Sequence, residues 1–282
     1  ARGYQCTVLG SGPFPACTSA RQAVEVCGVD LRNRAAVSEA FERVRPDYVL
    51  HLAAVSFVGH EDLMEMYTTN VVGTTNLLEA AAASPKPPRK MILASSANVY
   101  GDARSLPIHE SAALSPQNDY AVSKVAMELS ARLRSAPCPV VLARPFNYTG
   151  VGQSARFLIP KIVRAFASKA TTLELGNLDV SRDFSDVRDI VCAYLSLLES
   201  PSSVEVVNIC SGQATSLSQV VDMMRLISGH SPEVRSVQAL RRSNEIPVLY
   251  GSNDLLRSVI GDYQRYSFED TLQWMYQNSA PE

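Results

Sequence analysis

The strongest constraint on the fold of this chain is the alternation of short β-branched runs with amphipathic helical patterns. Three buried-strand patterns, at residues 48–52, 90–94 and 139–143, are separated by segments 62–83 and 120–134, in which apolar residues recur at helical spacing. Strands that alternate with helices in this way form βαβ units, and the helices then cover both faces of a parallel sheet. The sequence therefore predicts an α/β fold built on a doubly wound parallel sheet.

After about Gly150 this regular alternation loosens. The later patterns comprise strands at 172–175 and 204–209 and helices at 187–198, 217–226 and 268–276. We expect a first domain over residues 1–150 and a smaller mixed α/β C-terminal lobe over residues 151–282. Some of the later strands and helices are expected to return to the first domain.

The beginning of the chain lacks the motif with which a Rossmann-type dinucleotide-binding domain opens. Such a domain starts with a strand, a glycine-rich turn and a helix whose N-terminus binds the pyrophosphate. Gly10 and Gly12 follow a strand pattern, but they lead into Pro13 and Pro15 instead of a helix. We expect a Rossmann-type fold whose N-terminal strand and glycine-rich turn are absent from this chain.

Charge, hydropathy and cysteine spacing argue against several classes of function. The formal net charge of −2 over 282 residues gives no reason to expect a nucleic acid or a membrane surface as partner. No apolar stretch approaches the length of a membrane span and no secretory signal is present, so we expect a cytoplasmic protein. The six cysteines lie far apart without a CxxC pair, so we expect reduced thiols and no metal site.

The most informative segment for chemistry is Tyr120-Ala-Val-Ser-Lys124, in the second helical pattern. Residues four apart share a helix face, so the phenol and the ammonium group point into the same space. A nearby cation lowers the pKa of a tyrosine from its usual value of about 10 toward the working pH of an acid–base catalyst. The lysine can also bind a cofactor ribose. The alternative interpretation is an exposed tyrosine and a surface lysine, because this spacing often arises by chance.

Two hydroxyl residues, Ser95 and Ser96, directly follow the strand pattern at 90–94. A strand that ends here delivers Ser96 to the carboxyl edge of the sheet, where α/β proteins bind ligands. Its hydroxyl can donate a hydrogen bond to a substrate carbonyl and stabilise the charge that develops there. On its own, the segment is also compatible with a serine-rich turn.

Small and polar residues end other strand patterns. Leu52, Ala53 and Ala54 follow the strand pattern that begins at residue 48, and small side chains there allow a cofactor to pass closely. Asn70 lies on the following helical pattern. Asp30 follows a strand pattern at 24–29, where it either accepts a hydrogen bond from adenine or caps a turn.

Taken in order, these segments resemble the extended short-chain dehydrogenase/reductase superfamily of sugar-nucleotide epimerases, dehydratases and reductases. The motifs VDLRN, HLAA, TNVVGT, SSANVYG, YAVSK, RPFN and RDFSDVRD cover nearly the whole chain, and their common order makes the resemblance specific. It implies that Ser96, Tyr120 and Lys124 are the catalytic triad. The residues it implies for a nicotinamide dinucleotide are Asp30, Leu31, Leu52, Ala53, Ala54, Asn70, Ser95, Tyr120, Lys124 and Pro145.

The resemblance also bears on the type of reaction. Dehydratases of this superfamily carry an acidic residue two positions before the tyrosine of VYG, often beside a second one. Asn98 and Ala97 occupy these positions, so dehydration is disfavoured, and reduction or epimerisation remains. The segments LPIHE, NDYAVSK, RPFNYTGVGQ and LGNLDVSRDFSDVRD are most similar to the reductases of GDP-4-keto-6-deoxy-D-mannose.

The same resemblance implies that the C-terminal lobe binds a sugar nucleotide and that the first domain binds the dinucleotide. The implied substrate-binding residues are Ser56, Asn147, Lys161, Arg182, Arg242 and Glu245. Asn147 and Arg182 would hold the diphosphate or the sugar, and Arg242 with Glu245 would contact the nucleotide. Arginine forks match phosphate oxygens, and a glutamate accepts from ribose hydroxyls. Surface salt bridges with Asp183 or Glu245 are the alternative for the two arginines.

We therefore expect an enzyme that reduces the 4-keto group of GDP-4-keto-6-deoxy-D-mannose to give GDP-D-rhamnose, with Tyr120 as proton donor. NADP(H) is expected in preference to NAD(H), because no acidic residue follows the strand pattern at 5–9 to bind the ribose 2′-hydroxyl. The resemblance implies a homodimer formed through segments 62–83 and 120–134. The competing hypotheses are an NAD-dependent UDP-sugar 4-epimerase with the same triad and a non-catalytic dinucleotide-binding regulator, against which the intact triad argues.

Overall fold

The structure is a computed structural model that describes residues 3–10, 24–57, 59–134, 138–240 and 246–279. The chain divides into two units, and it passes between them several times. The first unit comprises Ala1–Ser95, Asn118–Leu142 and Ser203–Glu205, and the second comprises Ser96–Gln117, Ala143–Ser202 and Val206–Glu282. The functional division into residues 1–150 and 151–282 stays a prediction.

The first unit alternates strands with helices. Its described elements are β1 (Thr7–Gly10), β2 (Glu25–Gly28), α1 (Arg34–Val44), β3 (Tyr48–His51), α2 (Leu63–Tyr67), a π-helical segment (Thr68–Gly73), α3 (Thr74–Ala83), β4 (Lys90–Ala94), α4 (Asp119–Arg132) and the first residues of β5 (Val140–Pro145). Strands β1 and β2 pair in parallel, and so do β3 and β4. Strand β4 lies between β3 and β5. The predicted α/β class with parallel strands is confirmed.

The sequence explains where β4 and α4 form. In β4 the three central residues, Met91, Ile92 and Leu93, are completely buried, as expected of a strand covered on both faces. Helix α4 begins after Asn118, whose side-chain oxygen accepts a 2.9 Å hydrogen bond from the amide of Ala121. This cap places Tyr120 in the first turn of α4.

The long helix predicted over residues 62–83 is interrupted. Helix α2 ends at Tyr67, a π-helical segment follows, and α3 starts at Thr74. Such π turns are rare and often occur at functional sites. Asn70 lies within this one and is buried.

The second unit holds most of the shorter strands. Its described elements are a 3₁₀ turn (Ala97–Tyr100), the last residues of β5, β6 (Asn147–Thr149), α5 (Leu158–Ala167), β7 (Thr172–Leu175), β8 (Ser181–Arg182), β9 (Phe184–Asp186), α6 (Val187–Glu199), β10 (Val206–Ile209), β11 (Thr215–Ser216), α7 (Leu217–Ser228), β12 (Glu233–Ser236), a 3₁₀ turn (Gln238–Leu240), β13 (Val248–Leu249), α8 (Asp254–Ile260) and α9 (Phe268–Gln277). Strand β10 lies beside β5, and β8 lies between β11 and β13. Parallel pairs join β6 to β9 and β7 to β12. Within the described ranges, no helix has both the length and the apolar character that crossing a membrane requires.

Helices α5, α7 and α9 pack on one another and enclose an apolar core in the second unit. Phe166 on α5 lies at its centre with none of its surface exposed, and it meets the ring of His230 edge-on. Val220 and Met224 of α7 and Leu272 of α9 are equally buried in the same cluster. The close packing of large side chains makes this core sensitive to truncation.

Replacing Phe166 with alanine should lower the free energy of unfolding by about 3–5 kcal/mol, because the change removes buried apolar surface and leaves a cavity. Urea unfolding followed by circular dichroism measures this loss. The matched control is Leu226→Ala on α7, a position that is 82% exposed and should change stability by no more than about 0.5 kcal/mol. Equal losses in the two variants would contradict the placement of this core.

Candidate active site

Tyr120 and Lys124 lie one turn apart on α4, and both are buried. The Lys124 Nζ atom is 5.9 Å from the centre of the Tyr120 ring. It donates a 2.7 Å hydrogen bond to the carbonyl oxygen of Ala94, at the end of β4. Burial lowers the pKa of Lys124 to about 8, and the negative charge of Glu128 opposes this shift. The alternative interpretation, an exposed tyrosine and a surface lysine, is therefore wrong, because only 4% of Lys124 and 7% of Tyr120 is exposed.

Asn70 connects the segment after β3 to helix α4. Its side-chain oxygen accepts from the amide of Val55 at 2.8 Å, and its Nδ2 atom donates to the Val55 carbonyl at 3.1 Å and to Ser123 Oγ at 2.9 Å. Ser123 in turn donates to the backbone oxygen of Tyr120 at 2.7 Å. Both amide hydrogens of Asn70 are therefore used within the protein. Its contribution to a cofactor site would be to hold this segment and the first turn of α4 in place.

His51, the last residue of β3, belongs to the same buried polar group. Its Nε2 atom is 2.8 Å from Thr74 Oγ1, which donates its hydrogen to the backbone oxygen of Asn70. Because the Thr74 hydroxyl has one hydrogen, Nε2 of His51 must carry the proton in this pair. Burial, with a smaller effect from the charge of Lys124, lowers the pKa of His51 to about 3. The imidazole is therefore neutral near pH 7 and adds no second positive charge beside Lys124.

Ser95 was implied as a cofactor residue, but its hydroxyl is directed at helix α4. It donates a 2.5 Å hydrogen bond to Glu128, a fully buried glutamate one turn beyond Lys124. Glu128 and Ser123 are absent from the predicted site residues. For Glu128, the spacing on α4 was the available signal in the sequence, because it lies four residues after Lys124 and therefore shares its helix face.

Asp30 caps a turn, which is one of the two roles considered for it. Its carboxylate accepts from the amide of Arg32 at 2.9 Å and pairs with the Arg32 guanidinium at 2.8 Å. These hydrogen bonds, led by those from the side chain, lower the pKa of Asp30. The adjacent Leu31 is buried, and its carbonyl accepts a 2.8 Å hydrogen bond from Asn76 on α3. Asp30 thus stabilises a turn, and its contact with a cofactor stays a prediction.

The residues after β3 include small side chains, beside which a cofactor can pass close to the backbone. Leu52 is exposed, and Ala53 and Ala54 are half-buried methyl groups that leave space beside the backbone. Lys124, with three donor hydrogens of which Ala94 takes one, is suited to bind ribose hydroxyls. This donor set fits a nicotinamide dinucleotide. Across the described residues, no three histidine, cysteine or acidic side chains are grouped to hold a metal ion.

In the second unit, Ser96 caps the 3₁₀ turn that follows β4 in sequence. Its oxygen accepts from the backbone amide and from the side-chain Nδ2 atom of Asn98, both at 3.2 Å. In both contacts the Ser96 hydroxyl is the acceptor, so neither uses its hydrogen. Asn98, at the position where dehydratases carry an acid, is a hydrogen-bond donor to Ser96.

A buried polar network anchors the same turn. The hydroxyl of Tyr100 donates to Asn208 at 2.6 Å and accepts from Arg144 at 3.0 Å. The backbone amide of Asn208 donates to the carboxylate of Glu110 at 2.8 Å. The turn that carries Ser96 is therefore held by hydrogen bonds to two neighbouring strands of the second unit.

Asn147 and Arg182, two of the implied substrate residues, both lie in the second unit. Asn147 Nδ2 donates to the backbone oxygen of Asp183 at 3.3 Å, and Arg182 Nη1 donates to the carbonyl of Ser181 at 2.8 Å. The carboxylate of Asp183 accepts from the amide and the hydroxyl of Ser211, both at 2.7 Å, rather than serving only as a surface charge. Burial raises the pKa of Asp183 to about 6.

Two further implied substrate residues, Lys161 and Ser56, lie within the described ranges. Lys161 on α5 donates to the carbonyl of Glu174 on β7 at 2.8 Å. Ser56 is an exposed residue of the first unit. Pro145, which was implied for the cofactor, is buried at the end of β5. The remaining two, Arg242 and Glu245, lie outside the described residues. The assignment of all these residues to substrate or cofactor stays a prediction.

Known proteins are similar to this chain in both sequence and fold. The model of the GDP-mannose 4,6-dehydratase family matches residues 16–275. A GDP-6-deoxy-D-talose 4-dehydrogenase from Aggregatibacter actinomycetemcomitans is 34% identical over 251 residues, which cover 89% of this chain and 85% of that protein. A GDP-6-deoxy-D-mannose reductase from Pseudomonas aeruginosa is 36% identical over 228 residues, which cover 77% of this chain and 74% of the reductase. UDP-glucose 4-epimerases are among the relatives with lower identity.

A solved structure confirms the Rossmann-type class. The structure of RMD from Pseudomonas aeruginosa in complex with NADPH has a TM-score of 0.83 and 30% identity, and the match covers 96% of this chain and 98% of that chain. The family model spans most of the sequence, and the relatives above exceed 30% identity over most of their own lengths. This chain therefore belongs to the GDP-mannose 4,6-dehydratase family, within the short-chain dehydrogenase/reductase-type epimerases and dehydratases that the order of its motifs indicated.

Proposed function

We propose that this protein is an NAD(P)-dependent reductase that converts the 4-keto group of GDP-4-keto-6-deoxy-D-mannose to a hydroxyl, giving GDP-D-rhamnose. The observation that carries the proposal is the buried pair of Tyr120 and Lys124 on α4. The names of two relatives described above, a 4-dehydrogenase and a reductase of GDP-6-deoxyhexoses, support the substrate class.

The chain's own residues supply the proton and the stabilisation of charge. When bound, the reduced nicotinamide supplies the hydride that forms the new C–H bond at C4 of the sugar. Tyr120 gives its phenolic proton to the former carbonyl oxygen, and the resulting phenolate later regains a proton from solvent. Ser96 donates a hydrogen bond to the same oxygen and so stabilises the negative charge that develops on it.

Lys124 makes the tyrosine a better acid. Its ammonium charge stabilises the phenolate that remains after proton transfer, and this effect is stronger in a buried site than in water. The hydrogen bond from Lys124 to Ala94 fixes the ammonium group beside the tyrosine ring. Asn70 and Ser123 hold the backbone of Tyr120 through the hydrogen bonds described above.

The chain is unsuited to the dehydration for which its family is named. A dehydratase needs an acid to expel water from the sugar, and Asn98 and Ala97 stand where the superfamily's dehydratases carry acidic residues. The amide of Asn98 cannot donate a proton as a carboxylic acid does. A reduction needs no such acid, because no water is expelled from the sugar when its carbonyl group is reduced.

We propose NADPH as the preferred reduced cofactor. In the sequence, the residues directly after β1 are Ser11, Gly12 and Pro13, and none of them has a carboxylate that would bind a ribose 2′-hydroxyl and repel a 2′-phosphate. RMD, a relative of known structure, was solved with NADPH. Relative kcat/KM values for NADPH and NADH would measure this preference.

The experiment that tests the function follows NADPH absorbance after addition of GDP-4-keto-6-deoxy-D-mannose. The expected result is consumption of one NADPH for each sugar reduced. The configuration at C4 of the product then separates GDP-D-rhamnose from GDP-6-deoxy-D-talose, the compound in the name of one relative. Failure to consume NADPH with this substrate would contradict the proposed reduction.

The second candidate is a UDP-sugar 4-epimerase, which the relatives of that name support. An epimerase uses the same tyrosine and lysine but returns the hydride to the sugar, so it consumes no cofactor. Interconversion of UDP-glucose and UDP-galactose without net change in NADPH or NADH would favour this candidate. A non-catalytic regulator would bind the dinucleotide and catalyse neither reaction.

We also propose that the protein forms a homodimer through α4 and the segment from α2 to α3. Both expose apolar side chains that a monomer would leave in water. These exposed residues are Leu63, Met64, Val72, Val122, Leu129 and Leu133. Val122 and Leu129 are seven residues apart on α4 and so lie on one helix face.

Replacing Leu129 with glutamate should shift the protein from dimer to monomer, because the change places a charge in an apolar interface. Light scattering coupled to gel filtration measures the mass of each variant. Leu226→Glu is the control, since Leu226 is an exposed leucine on α7 of the second unit. A wild-type protein that is monomeric at micromolar concentration would exclude the proposed dimer.

A further inference from the structure

Glu128 is a buried carboxylate for which the proposed reaction has no role. None of its surface is exposed, and it lies one helical turn after Lys124 on α4. Burying a carboxylate is unfavourable unless it is paired or hydrogen-bonded. The position of Glu128 beside a buried lysine therefore requires a physical explanation.

Two hydrogen bonds place Glu128 and Lys124 at the same end of β4. The Ser95 hydroxyl donates to Glu128 Oε1 at 2.5 Å, and Lys124 Nζ donates to the carbonyl oxygen of Ala94 at 2.7 Å. Ala94 and Ser95 are consecutive, and Lys124 and Glu128 are one turn apart. The carboxylate and the ammonium group are thus held on the same helix face against one strand end.

The groups around Lys124 differ in the charge that they contribute. His51, from β3, is neutral because burial lowers its pKa to about 3. The phenol of Tyr120 lies on the same helix face, 5.9 Å from ring centre to Nζ. Glu128 favours the charged form of Lys124, whereas burial disfavours that form. Little solvent is present to weaken the attraction between the carboxylate and the ammonium group.

We propose that Glu128 is a positioning residue of this site, whose carboxylate, held by Ser95, keeps the buried ammonium of Lys124 protonated and in place at the working pH. The inference rests on the proposed function, because the charge of Lys124 matters for turnover only when Tyr120 transfers a proton. Loss of the carboxylate charge would let Lys124 release its proton at lower pH. Tyr120 would then lose its neighbouring cation.

The first test needs no substrate. The titration of Lys124 is followed by NMR in protein with ¹³C-labelled lysine, and the Lys124→Met variant, which lacks the signal, assigns it. In Glu128→Gln, which preserves shape and removes the charge, the midpoint is expected to fall by about one pH unit or more relative to the wild type. An unchanged midpoint would overturn the proposal, whatever the substrate of the enzyme is.

The second test is the pH profile of kcat/KM for NADPH-dependent reduction. In Glu128→Gln the alkaline limb should move to lower pH by about one unit, which lowers the rate about tenfold above that limb and has little effect near pH 6. Glu128→Asp retains the carboxylate charge and is expected to restore the position of the limb. A purely structural role would lower the rate equally at every pH without moving the limb, and this result would overturn the proposal.

A second variant covers the case in which Glu128→Gln does not fold. Ser95→Ala removes the hydroxyl that holds the Glu128 carboxylate, so the NMR midpoint of Lys124 is expected to fall in this variant as well. An unchanged midpoint in Ser95→Ala would overturn the proposal. If the wild type consumes no NADPH, the proposed function fails, while both NMR measurements still decide the role of Glu128.

Discussion

Replacement of Tyr120 with phenylalanine is expected to lower kcat/KM for NADPH-dependent reduction by about 10²–10⁴-fold, the usual contribution of a positioned general acid. The substitution removes one oxygen and keeps the ring that fills the buried first turn of α4. The ammonium of Lys124 stays, so the binding of NADPH should be nearly unchanged. Steady-state kinetics and fluorescence titration with NADPH measure the two effects separately.

The control for this variant is Tyr276→Phe, which removes a phenol from α9 in the second unit. Tyr276 packs beside the apolar core of that unit and has no role in the proposed reaction. Its loss should leave kcat/KM close to the wild-type value. A Tyr120→Phe variant with wild-type turnover would show that another group donates the proton.

Replacement of Lys124 with methionine is expected to change activity and stability in opposite directions. Activity should fall by at least about a hundredfold, because the cation that stabilises the tyrosine phenolate is lost. The free energy of unfolding should rise by about 1–3 kcal/mol at pH 7, since a desolvated charge is replaced by an apolar chain of similar length. This gain is smaller than the full cost of the charge, because the hydrogen bond to Ala94 and the attraction to Glu128 are also lost.

The stability gain has a definite pH dependence. The pKa of Lys124 is about 8 in the folded protein, against 10.5 for an ordinary lysine. Below pH 8 the lysine is protonated in both states, and the folded protein bears the full cost of burying the charge. Between pH 8 and about 10.5 only the unfolded state keeps the proton, so wild-type stability gains as pH rises. Urea unfolding at pH 7 and pH 9.5 should therefore show a smaller difference between the variants at the higher pH.

An equal difference at both pH values would contradict this linkage. A methionine variant that is less stable than the wild type at pH 7 would show that the contacts of Lys124 outweigh its desolvation. Lys86→Met on the surface is the matched control, because Lys86 is largely exposed and pairs with Asp47. Exposed ion pairs contribute between zero and about 1 kcal/mol.

Elements with strong local sequence signals were well predicted from the sequence. The strand expected at 90–94 is β4 with the same bounds, because its central residues form a continuous apolar run. The helix expected at 120–134 is α4, which starts one residue earlier after its Asn118 cap. Both cases depend on local signals that tertiary structure does not override.

Other elements could not be predicted so directly. The π-helical segment at Thr68–Gly73 leaves the helical spacing of apolar residues on either side nearly unchanged, so the sequence predicts a single helix over residues 62–83. Helix α5 was not predicted. Pro160 lies in its first turn, where the missing N–H has no helical partner and the ring is tolerated.

In the candidate active site, too, some features follow from local spacing in the sequence and others depend on the packing of the folded unit. The shared face of Tyr120 and Lys124 follows from their spacing, and the structure confirms it. The partner of Ser95 depends on which face of α4 meets the end of β4, and this packing is a property of the folded unit. Asp30 binds its near neighbour Arg32, since short-range hydrogen bonds of aspartate compete with contacts to a ligand.

The most direct test of the central claim is the transfer of deuterium from NADPH that carries deuterium at both hydrogen positions of the nicotinamide C4. The reaction is run with GDP-4-keto-6-deoxy-D-mannose, and NMR of the purified product locates the isotope. Hydride transfer by this enzyme predicts deuterium at C4 of the sugar in an amount equal to the NADPH consumed, and none with Tyr120→Phe over the same time. A product without deuterium at C4, or full incorporation by the phenylalanine variant, would contradict the account.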